Sequence, residues 1–147
     1  MTNDKAKTQL SDIINIARDG QLGYQRAADN MDNAEIKTIF NRLSQQRASF
    51  IEELKHDARD LGLDMDERST VQGFFHRNWM DLKANFASKE DEVIIEEAQT
   101  GEQTALKTYN EAINSHDLPS YIEEKVEKQR SLIEGAITQL EEFKASV

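Results

Sequence analysis

Apolar and small residues near the amino end recur at three- and four-residue steps, at Leu10, Ile13, Ile14, Ala17, Gly20, Tyr24, Ala27, Ala28 and Met31. An α-helix places residues so spaced on one face, and the pattern predicts a helix over about 4–29. Asp32 followed three residues later by Glu35 has the form of a capping box, which starts a second helix over about 33–60. Its stripe is Ile36, Phe40, Leu43, Phe50 and Leu54, and Gly62 supplies the stop.

The pattern then changes. Leu63 to Ser69 is polar and irregular, and a shorter amphipathic piece over about 71–86 follows, carrying Val71, Phe74, Phe75, Trp79, Leu82 and Phe86. Its plainer reading is a crossover helix that caps the core; the alternative is a ligand pocket formed by Tyr24, Trp79 and Tyr109. Ser88 and Asp91 form the next capping box, and Val93, Ile94, Ala98, Ala105, Tyr109, Ala112 and Ile113 define a third long helix over about 89–114. After a turn at Ser115 to Leu118, Pro119 opens a fourth helix over about 119–145, striped by Ile122, Val126, Ile133, Ile137 and Leu140. Two short joins and one long link describe an all-α, four-helix bundle with one crossover, a single domain over 1–147.

Polar residues interrupt each stripe near its midpoint. Gln21 falls between Ala17 and Tyr24, Gln46 and Arg47 between Leu43 and Phe50, Glu102 between Ala98 and Ala105, and Gln129 and Arg130 between Val126 and Ile133. The halves echo one another, because Gln21, after Gly20, precedes Gln46-Arg47 by 25 positions and Glu102, after Gly101, precedes Gln129-Arg130 by 27. Antiparallel helices of similar length bring their midpoints together, so Gln21, Gln46, Arg47, Glu102, Gln129 and Arg130 are expected in one polar core layer. A glycine inside a helix costs about 1 kcal/mol relative to alanine. Close helix approach at Gly20 and Gly101 is the expected compensation.

Composition sharpens the picture by exclusion. The 147 residues include 18 Lys and Arg against 28 Asp and Glu, a net charge of −10. That balance, with no basic stripe, disfavours nucleic acid and anionic membrane surfaces as partners. No apolar run approaches the roughly 20 residues that span a bilayer, and the polar stretch Met1 to Gln9 has no signal-peptide core, so a cytoplasmic protein without membrane insertion is expected. The absence of Cys removes disulfides, thiol catalysis and Cys-ligated metal centres. At 37% hydrophobic and 31% charged, the chain would suit disorder if its apolar residues were scattered; their periodicity argues for a folded bundle.

The ordered set Asp19-Gly20…Tyr24, Gln45-Gln46-Arg47, Trp79-Met80-Asp81-Leu82-Lys83 and Gly101-Glu102 resembles a bacterial family of uncharacterised four-helix-bundle proteins in the ferritin-like superfamily. The resemblance runs from about Leu10 to Leu140 and implies a ferritin-like bundle related in fold to rubrerythrin. Di-iron members take one Glu from each of two helices and a Glu-x-x-His from each of the other two. Here Gly20-Gln21 and Gly101-Glu102 look like the two Gly-Glu sites, and Gln46-x-x-Ser49 and Gln129-x-x-Leu132 occupy the Glu-x-x-His positions. Glu102 alone keeps a metal ligand.

One Glu with three Gln is a poor set for two metal ions, since amides bring no charge to offset a cation's desolvation. The expectation is therefore a hydrogen-bonded layer with Glu102 paired to Arg47 or Arg130, no cofactor and no catalytic residues. Alternatives are a small-molecule pocket around the layer, or an iron or manganese site at Glu102 or at Glu53-x-x-His56. Glu53 and His56 read more simply as an exposed pair on a charged face. His76 and His116 are scattered, no haem ligand pair or Ser/His/Asp arrangement is supported, and Glu123 to Lys128 reads as a solvated surface. A non-enzymatic bundle is favoured, with a role in bacterial stress or stationary-phase physiology implied by the superfamily. An unknown protein partner or self-association, including a homodimer, is the expected mode of interaction.

Overall fold

The computed structural model describes residues 3–62 and 90–147. Four helices account for most of them: α1 (Asn3–Asn30), α2 (Ala34–Asp60), α3 (Asp91–Ser115) and α4 (Ser120–Ser146). The expected helix at 71–86, with Phe74, Phe75 and Trp79, lies outside the described residues, as does Ser88.

Local chemistry sets the ends. The second helix is capped by Asn33, not Asp32: the Asn33 side chain accepts from the Ile36 amide at 3.0 Å. The amides of Asp32 and Asn33 donate to the two carboxylate oxygens of Asp91, each at 2.9 Å. Asp91 thus closes the α1–α2 turn, while its own helix is capped by Glu90 without a side-chain hydrogen bond. Gly62 ends α2 at φ 76, a left-handed conformation that side chains disfavour. His116 ends α3 in the left-handed region at φ 57, and Pro119 takes the cap position of α4.

The apolar faces bury two clusters. One joins Leu10 and Ile14 of α1, Leu54 of α2, Ile113 of α3 and Ile122 of α4; the other joins Met31, Ile36, Ile94 and Leu140. The start of α3 therefore meets the end of α1 and the start of α2, so α3 runs parallel to α2 and antiparallel to α1. Helix α1 packs between α2 and α3, α3 packs against α4, and α2 meets α4 more sparsely, which closes the ring and leaves α2 and α3 diagonal. Ile16, Ile51 and Ile95 are buried beside the anticipated stripes, whereas Val93 is only half-buried. A helix with neighbours on two sides buries a wider arc than one stripe describes.

Candidate functional site

Between the two apolar clusters, Arg47 reaches across the diagonal to Glu102. Its Nη1 donates to Oε1 at 2.7 Å and its Nη2 to Oε2 at 2.6 Å, a bidentate pair with 1% and 0% of the two residues exposed. The Tyr24 hydroxyl donates to the same Oε2. Arg47 Nε donates to Gln46 Oε1 at 3.3 Å, and the guanidinium carbon stands 5.4 Å from the Tyr24 ring centroid and 5.6 Å from that of Phe50. Burial alone would drive Arg47 toward its neutral form, but the charge and hydrogen bonds of Glu102 outweigh it and hold its pKa above the ordinary value. Burial first, then the Glu102 charge, pushes the Tyr24 phenol well up, so it stays a donor.

Gly20 makes room for this pair. A methyl group there would stand 3.3 Å from Arg47 Nη1 and 3.5 Å from its Cγ. The close approach expected at Gly20 is thus that of the arginine side chain.

A second chain of bonds starts at Tyr109. Its hydroxyl donates to Gln129 Oε1 at 2.7 Å, and Gln129 Nε2 donates to Glu53 Oε1 at 3.0 Å and to the Phe50 carbonyl at 3.5 Å. Burial raises the Tyr109 phenol above its ordinary pKa, so this hydroxyl also remains protonated.

The six residues of the anticipated layer therefore separate. Arg47, Glu102 and Gln129 are buried, and Gln46 is half-buried beside Arg47. Gln21 is half-buried on the α1–α2 flank, where its backbone carbonyl accepts from Ser44 Oγ at 2.8 Å. Arg130 is half-buried and donates to Asn110 Oδ1 at 2.9 Å, so Arg47 is the partner of Glu102. One step along a helix turns a side chain by about 100°; Gly20 and Arg47 fill the centre, and Gln21 is turned away from it.

Beside Tyr24 the space is taken by Glu102 and Arg47, and Trp79 lies outside the described residues. His56 is exposed and stands 3.7 Å from Asp60, while Glu53 is engaged with Gln129. Among the described residues, no three His, Cys, Asp or Glu side chains are placed to hold a metal ion. The donor set itself fits a divalent cation poorly, because both Glu102 oxygens are occupied and a guanidinium already stands against them.

Sequence reasoning missed five buried polar residues, Asn15, Asp19, Ser44, Asp57 and Thr108. Burial pushes Asp19 up to about 7 against the opposing charge of Arg18. Asp57 accepts from Lys125 Nζ at 2.9 Å. Asn15 and Asp19 lie one turn apart on the side of α1 away from its stripe, so stripe analysis carried no signal for them; Asp57 was detectable from its place between Leu54 and Ala58.

The fold and its interior define an all-α four-helix bundle centred on a buried arginine–glutamate pair. The family described as a domain of unknown function, DUF2383, matches residues 5–115, and the chain belongs to it. That stretch contains Tyr24, Arg47 and Glu102. No curated protein and no solved structure matches the chain. No helix among the described residues is long and apolar enough to cross a membrane.

Proposed function

We propose that this is a non-enzymatic ferritin-like bundle in which the Arg47–Glu102 pair stands where related di-iron proteins hold metal. The supporting observation is the bidentate pair itself, completed by Tyr24. A guanidinium supplies a fixed positive charge to the carboxylate without any ion, and a buried pair of this kind can fix helix register. The resemblance to rubrerythrin-type proteins extends the proposal to a cytoplasmic bacterial protein of stress physiology that acts by binding a protein partner or a second copy of itself.

Elemental analysis after purification from iron- and manganese-supplemented medium tests this reading. Less than about 0.1 metal per chain is expected, since a site with its only carboxylate neutralised has little affinity for a divalent ion. Stoichiometric iron or manganese that disappears in Glu102→Ala would instead establish the rival reading, a metal-binding redox or iron-handling protein.

A further inference from the structure

Helix α4 carries a face that none of its neighbours covers. Lys125, Lys128, Leu132, Gly135, Gln139 and Glu142 follow one another at alternating three- and four-residue steps, the spacing of a helix-pairing seam, and each is exposed or half-buried. Leu132, 48% exposed, is one of three large apolar side chains exposed among the described residues; the others are Tyr121, one turn before Lys125, and Val147, at the end of the helix. A glycine weakens a helix relative to alanine, yet a methyl group at Gly135 would meet nothing within 4 Å. Packing within the chain does not call for that glycine.

Two copies of this face are complementary when laid antiparallel. A twofold axis between Leu132 and Gly135 sets the leucine of each copy over the bare glycine of the other, Lys125 opposite Glu142, Lys128 opposite Gln139, and Tyr121 against the Ser146–Val147 end. One contact then covers all three exposed apolar side chains. Lys128 and Glu142 make no ion pair among the described residues, and they stand one turn apart across this contact. Where α2 and α4 diverge, the groove beside this face is lined by Glu53, Lys125, Lys128 and Leu132, and its charges balance because Lys125 pairs with Asp57 and Lys128 stands beside Glu53. On a chain of net charge −10, a balanced patch is where two copies approach with least repulsion.

We propose that two copies of the chain pair through α4 in this antiparallel arrangement. The pairing gives a surface to the self-association in the reading above, on which it rests. It does not depend on metal content, because Glu102 bonds to Arg47 and Tyr24 and to no residue of this face. Stoichiometric metal would overturn the metal-free core and leave the pairing standing; a monomeric chain would do the reverse.

Sedimentation equilibrium of the full chain, with the Tm of each variant, tests the pairing. A monomer–dimer equilibrium with a Kd of about 10–100 µM is expected, as suits a contact at the small end of interface sizes. Gly135→Gln fills the notch and is expected to weaken the dimer about tenfold or more without lowering the Tm of the dilute chain. Lys128→Glu and Glu142→Lys should each weaken it about tenfold, through like charges across the contact. An equimolar mixture of those two variants should associate about as tightly as the unaltered chain, since each then meets its opposite. A chain monomeric at about 1 mM, a Kd unmoved by Gly135→Gln, or a mixture that associates no better than either variant alone overturns the proposal.

Discussion

Tyr24 and Tyr109 are both completely buried, yet their hydroxyls end in different chemistry. Tyr24 meets a carboxylate already clasped by Arg47, and every member of that triad is sealed from solvent. Tyr109 meets a neutral amide, Gln129, which passes its other end to the exposed Glu53 at the groove. Access to water separates the two. Where none is available, a charge must meet its opposite in full; where a groove lies close, an amide relay suffices and the charge stays hydrated.

Glu102→Ala should strike the sealed side hardest. It leaves Arg47 charged, buried and alone, and denaturant unfolding should show a loss of about 3–5 kcal/mol. Glu102→Gln, which keeps an acceptor, should lose less; if neither variant changes stability, the triad is not holding the core. Replacing both Arg47 and Glu102 with Met and Leu should recover most of the loss, because the cost belongs to the orphaned charge.

The neutral side should respond more mildly. Gln129→Leu strands one buried hydroxyl and is expected to cost about 1–3 kcal/mol. Adding Tyr109→Phe should return much of it, and a thermal-melt double-mutant cycle reads that coupling. A loss as large as that of Glu102→Ala would erase the contrast.

Gly20→Ala tests how tightly the sealed side is packed. Alanine favours the helix by about 1 kcal/mol, but its methyl meets an arginine fixed by two short bonds, so a net loss of about 1 kcal/mol is expected. Any gain in Tm would show that Arg47 has room to shift. Asp91→Ala, remote from both tyrosines, should cost about 1 kcal/mol as a lost cap does. Measured beside the others, it gives the scale for a polar contact outside the core.

Much of the bundle was legible because periodic apolar positions and turn residues act locally: Ile36, Phe40 and Leu43 declare a helix face, and Gly62 its end. The polar layer was legible only in part. The echo between Gln46-Arg47 and Gln129-Arg130 suggests equal roles, but α2 turns its arginine inward and α4 its glutamine. That difference is one residue of helix rotation, set by packing between helices, and neither dipeptide encodes it. The capping role of Asp91 was hidden for a similar reason, since its partners lie 58 and 59 positions away.

The sequence separation of the ion pair also bears on how the chain assembles. Arg47 and Glu102 are 55 residues apart, whereas the α1–α2 hairpin is joined by a short local turn. A hairpin that forms first holds an arginine beside Gly20 that has no counter-charge until α3 docks. If α3 docks one turn out of step, a displacement of about 5.4 Å, both charges enter apolar layers unmatched. The correct register is then the arrangement that lets them leave water together, and every other register of α3 carries the cost of an unmatched buried charge.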